Sequence, residues 1–142
     1  MSDDDRFIYL VFTAQQRLRN YLKQALAKEG IKITPAQTGI LALLLENNGR
    51  TMTELSQALS IDNSTITGLV DRLENAGFLK RQPKAEDRRI SLIYITPEGD
   101  RETRKAIITL QEVNKEITSG FSTDEIEAFK RVLKSFFTKF NR

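Results

Sequence analysis

Apolar residues recur at helical spacing through most of this chain and give way once to a pair of short β-like runs. In the middle, Ile66, Leu69, Val70 and Leu73 fall at i, i+3, i+4 and i+7, which predicts an amphipathic helix over Asn63–Asn75. Just upstream, Thr53 to Leu59 places Leu55, Ala58 and Leu59 on one side and predicts a shorter helix. The turn 60–62 joins the two, with Asp62 or Asn63 positioned to cap the second. Two short helices across a tight turn make a helix-turn-helix. Downstream, Gly77 ends the second helix and Phe78 supplies the accompanying apolar contact. The runs Phe78 to Gln82 and Ile90 to Ile95, β-branched and aromatic, read as two strands around the loop 83–89, a hairpin wing.

The flanks are helical as well. From Asp3 to Ala27, Phe7, Leu10, Val11, Ala14, Leu18 and Leu22 keep helical spacing, the leading aspartates complement the dipole, and Gly30 closes the element. Thr34-Pro-Ala-Gln37 is a capping box with proline at the first helical position, and the helix behind it is apolar nearly all round, hence central and buried. Asn47-Asn-Gly49 stops it. Thr96-Pro97 opens a helix that runs through Ile107, Leu110, Val113 and Ile117 to Gly120, its first turns charged and solvated. Ser122-Thr-Asp-Glu125 caps the last helix, which carries Phe129, Leu133, Phe136, Phe137 and Phe140. Four phenylalanines on a terminal helix exceed what one small subunit covers. The expectation is a two-fold dimer interface that also uses Phe7 and Leu10, with an ordinary core as the alternative. The predicted fold is mainly α with a small β-hairpin wing. A winged helix-turn-helix domain at 31–98 is flanked by a dimerisation helix within 1–30 and the dimerisation helices of 99–142.

Chemistry enters on the outward side of Asn63–Asn75. Ser64, Gly68, Asp71 and Asn75 lie opposite the apolar stripe, with Thr67 and Arg72 on the flanks. Small hydroxyl and amide groups around a glycine suit close approach to a surface rich in donors and acceptors, such as the floor of a DNA major groove. Ser64, Thr65 and Thr67 are candidates for contacts with bases or nearby phosphates, Gly68 for close approach and Arg72 for phosphate. Thr53 offers a backbone N–H to phosphate. Asp71 would repel phosphate and is expected to fix a neighbouring arginine such as Arg72. Lys80, Arg81, Lys84, Arg88 and Arg89 concentrate positive charge on the hairpin, and Asp87 sits close enough to Arg88 or Arg89 to hold a guanidinium.

The runs L-V-D-R-L-E-N-A-G-F-L from Leu69 to Leu79 and D-R-R-I-S-L-I-Y-I-T-P-E-G from Asp87 to Gly99 resemble the MarR family of bacterial transcriptional regulators, and the likeness extends over most of the chain. The D-x-R wing signature matches at Asp87 and Arg89. The resemblance implies a homodimer on double-stranded DNA at a pseudo-palindromic operator, acting as a repressor, with Arg89 entering the minor groove. It also implies a small aromatic or anionic effector where dimerisation helices meet the winged domain, near Tyr9, Phe12, Arg17 and Ile40.

Composition narrows the alternatives. Twenty-two Lys and Arg against 19 acids leave a net charge of +3 over 142 residues, so the placement of charge says more than its total. With no cysteine and no histidine, disulfides, thiolate redox sensing, Cys/His zinc sites and histidine base catalysis are excluded; no cofactor or metal is expected. No catalytic constellation and no apolar run of membrane-spanning length is present, so an enzyme is not expected and a cytoplasmic location is. A winged-helix protein-interaction module is the competing class; it would show apolar or acidic residues at Ser64, Thr67 and Gly68.

Overall fold

Each capped helix begins where a short polar side chain closes its first turn. The computed structural model describes Ser2 and residues 6–141, ordered α1 (Phe7–Lys28), α2 (Pro35–Glu46), α3 (Met52–Leu59), α4 (Asn63–Asn75), β1 (Leu79–Pro83), β2 (Ser91–Ile95), α5 (Pro97–Thr118) and α6 (Thr123–Lys139). Thr34 with Gln37, and Ser122 with Glu125, form the two expected reciprocal capping boxes. Thr51 caps α3 by accepting from Glu54 N, and Asp62 caps α4 by accepting from Thr65 N. Thus α3 starts at Met52, ahead of the expected Thr53. The aspartates expected to open the first helix, Asp3 to Asp5, lie outside the described residues, and α1 itself has no acidic residue in its first turn.

Two compact units divide the chain, one ending at Leu110 and the other beginning at Gln111. In the first, Ile40, Leu41 and Leu44 of α2 are wholly buried with Leu55 of α3 and Ile66 and Val70 of α4, the central position expected of a helix apolar nearly all round. The apolar stripe of α4 therefore faces inward and its polar side outward. At its end Gly77 adopts φ +84°, and Phe78 N donates to Leu73 O at 2.9 Å, a left-handed cap that only glycine takes without strain.

Phe78 belongs to that cap, so β1 begins one residue later than expected. The hairpin is antiparallel, with Leu79 opposite Ile95 and Pro83 opposite Ser91. A bridge between Arg50 and Ile93 ties the segment before α3 to β2. The charged opening of α5 is only partly solvated. Arg101 pairs with Glu98 and Arg104 with Asp100, but Thr103 between them and Ala106 just beyond are fully buried.

In the second unit α6 buries none of its residues. Phe137 and Phe140 are 73% and 69% exposed, Phe129 and Leu133 are also exposed, and Phe136 packs edge-on against Phe140 at 5.5 Å. Phe136 is half-buried, so within this unit the stripe is left largely uncovered. Phe7 and Leu10 on α1 are exposed too. No described helix is long and apolar enough to cross a membrane.

Candidate nucleic-acid interface

The outward face of α4 presents Ser64, Thr65, Thr67 and Arg72, all exposed, around half-buried Gly68. Ser64 Oγ donates to Asp62 Oδ1 at 2.8 Å, and Thr67 Oγ1 donates to Asn63 O at 2.7 Å. The Thr65 backbone N–H, followed by the Ser64 and Thr65 hydroxyls, holds the Asp62 carboxyl below its ordinary pKa, so it stays charged. A Cβ added at Gly68 would meet only Arg72 Nη2, at 3.5 Å. The glycine is thus not required by the protein's own packing.

That freedom gives a test. Glycine in a helix interior costs about 0.5–1 kcal/mol relative to alanine, so Gly68→Ala is expected to raise stability by about that amount in thermal melts. The same methyl group stands where DNA would approach. Binding to an operator duplex, followed by fluorescence anisotropy, should weaken while the protein becomes more stable.

Asp71 does not serve Arg72. It pairs across the helix–wing junction with Arg81 of β1, whose Nε also lies 3.7 Å from Glu74. This corrects the expected Asp71–Arg72 pairing and places Arg81, one of the hairpin cations, beside two α4 acids. No short-range spacing in the sequence signals the pair, because ten residues and a helix end separate its members. Lys80 is exposed and Lys84 half-buried.

At the wing tip, Asp87 chooses Arg89 over Arg88. Its carboxylate accepts from Arg89 Nε at 3.0 Å, from Nη2 at 3.1 Å and from the Arg89 backbone N–H at 3.1 Å. These bonds lower the Asp87 pKa and raise that of Arg89, whose side chain is nonetheless 90% exposed. The loop is compact, with Lys84 N donating to Ile90 O and Ile90 N to Asp87 O. Arg88 is exposed.

The remaining candidates are dispersed. Thr53 is exposed in the first turn of α3. Tyr9, Phe12 and Arg17 lie on the exposed surface of α1, whereas Ile40 is sealed in the core at 0% exposure. Among the described residues no cluster of three or more acidic, cysteine or histidine side chains could hold a metal ion.

A bidentate-held, exposed arginine on a hairpin, beside a helix face of small polar groups, suits contact with a nucleic-acid duplex. Comparison with known proteins agrees. A model of the MarR family matches residues 33–91. The multiple antibiotic resistance protein MarR of Salmonella typhimurium is 30% identical over 131 residues, covering 91% of this chain and 87% of that protein. A mutant MarR from E. coli, solved in complex with operator DNA, superposes with TM-score 0.83 at 27% identity, over 94% of this chain and 98% of that one. BpsR of Bordetella bronchiseptica, whose DNA binding is regulated by 6-hydroxynicotinic acid, shares the fold at TM-score 0.87 and 22% identity, over 96% of each chain. With the helix-turn-helix, the wing and the relatives in agreement, the chain belongs to the MarR family of DNA-binding transcriptional regulators, which are not enzymes.

Proposed function

We propose that the chain works in the cytoplasm as a homodimeric repressor of a pseudo-palindromic operator, each subunit laying α4 in the major groove and extending the wing toward the adjacent minor groove. The observation that carries this is the wing tip, where Asp87 holds the Arg89 guanidinium at both nitrogens and leaves it exposed. An arginine oriented in this way matches the negative potential of a narrow minor groove.

The exposed phenylalanines of α6, and separately Phe7 and Leu10 of α1, supply apolar surface for a second copy of the chain. A two-fold dimer would present two copies of α4 to half-sites about one helical turn, or a multiple, apart. Bound across a promoter, it blocks access to the same DNA. A small aromatic or anionic effector that shifts the two reading heads would relieve repression, as 6-hydroxynicotinic acid regulates BpsR.

The test is selection from a random duplex library at moderate salt, with the native chain and with Arg89→Ala. The native protein is expected to enrich an inverted repeat. The variant should bind that repeat about tenfold more weakly and lose enrichment chiefly at the flanks. Uniform recovery from the native protein would defeat sequence-specific reading and turn attention to a protein partner on the face of Ser64, Thr67 and Gly68.

A further inference from the structure

We infer that Ser64 and Thr67 read DNA as hydrogen-bond acceptors only, and so select exocyclic amino groups, adenine N6 or cytosine N4, in the major groove. This rests on the DNA-reading function proposed above and specifies what its recognition helix detects.

A hydroxyl has one proton and two lone pairs. On α4 both protons are engaged by the protein's own acceptors at the helix surface, that of Ser64 by Asp62 Oδ1 at 2.8 Å and that of Thr67 by Asn63 O at 2.7 Å. The oxygens themselves are on exposed residues. What they offer a partner is therefore lone pairs. Phosphate oxygens, guanine O6 and N7, and thymine O4 are acceptors, and bonding any of them would require pulling a proton away from its internal partner. For Ser64 that partner is a carboxylate, which makes the stronger kind of hydrogen bond. The major groove has donors only at adenine N6 and cytosine N4, and an acceptor engages these with no internal bond broken.

The surroundings point the same way. Asp62 adds negative charge beside Ser64, which disfavours phosphate and favours an amino group. Arg72, a donor without acceptor capacity, is the complement on this face, and its guanidinium lies over Gly68. Guanine or phosphate contacts fall to Arg72, and amino groups to the hydroxyls.

The test begins from the operator enriched by the full native chain. Each adenine is replaced in turn by purine, which lacks the N6 amino group, each cytosine by 2-pyrimidinone, which lacks N4, and each guanine by 7-deazaguanine, which lacks N7. Affinities are measured for the native protein, Thr67→Val, Thr67→Ser and Ser64→Ala, with melting curves for every protein and duplex. At one or two adenines or cytosines per half-site, removing the amino group is expected to weaken native binding about fivefold to tenfold. The same replacement should have no effect on Thr67→Val or Ser64→Ala, whichever lacks the matching acceptor, and Thr67→Ser should respond as the native protein does. If these variants instead abolish sensitivity to 7-deazaguanine, or if no amino group couples to either residue, the acceptor assignment is overturned while sequence-specific reading stands. If no sequence is enriched at all, both fall.

Discussion

Gly99→Ala is expected to lower the melting temperature by roughly 8 °C, a net destabilisation of about 2 kcal/mol. Gly99 is buried in the first turn of α5, and a Cβ there would run into the Phe78 carbonyl, with Phe78 C and Ile95 Cγ1 each at 2.9 Å. The obstacle is mainly backbone and cannot rotate aside. Overpacking of this kind costs about 3 kcal/mol, and the better helix propensity of alanine returns at most about 1. The site is also a junction. Thr96 Oγ1 donates to Gly77 O and accepts from Gly99 N, and Thr96 N donates to Phe78 O, so the end of α4 and the start of α5 share one set of bonds. Displacing them would move the recognition helix, and operator binding should fall with stability. A melting temperature within a degree of native would show that the junction relaxes freely. Gly68→Ala is the internal contrast, the same substitution with the opposite sign of effect.

Affinity for the operator is expected to fall about a thousandfold between about 50 mM and about 200 mM salt. With Arg72, Lys84 and Arg88 of each subunit taken as the phosphate contacts of the proposed complex, a dimer makes six. Arg81 is left out because Asp71 and Glu74 already neutralise it, and Arg89 because it is assigned to the minor groove with Asp87 beside it. The slope of log affinity against log salt should then be about −5. Counting every basic residue of the wing would give a much steeper line. A flat response would contradict phosphate contact by this face altogether.

Local chemistry makes most of the fold legible in the sequence. The boxes at Thr34 and Ser122 and the glycine cap at Gly77 are short-range patterns whose partners lie within a few residues, and all three occur as read. The start of α3 differs by one residue from the expected Thr53, because Thr51 caps it by accepting from Glu54 N, three residues on. The exposed phenylalanines of α6 were legible from their number alone. On the outward side of α4, residue types and positions are legible in the sequence, but the direction of hydroxyl protons is not. The Asp71–Arg81 pair was also illegible, because it depends on how a strand returns past a helix, which periodicity does not encode.

The wing is fastened at its base by Arg81 and by the bridge from Arg50 to Ile93, and its tip is closed by bonds among Lys84, Asp87 and Ile90. Fixing the backbone of a free residue costs about 1–2 kcal/mol of conformational entropy, and a floppy seven-residue tip would surrender much of that on entering a groove. Here backbone bonds already close the tip in the protein alone, and the Arg89 side chain lies on Asp87. Association should therefore behave as the docking of two preformed surfaces, with little coupled folding and an encounter rate set mainly by charge.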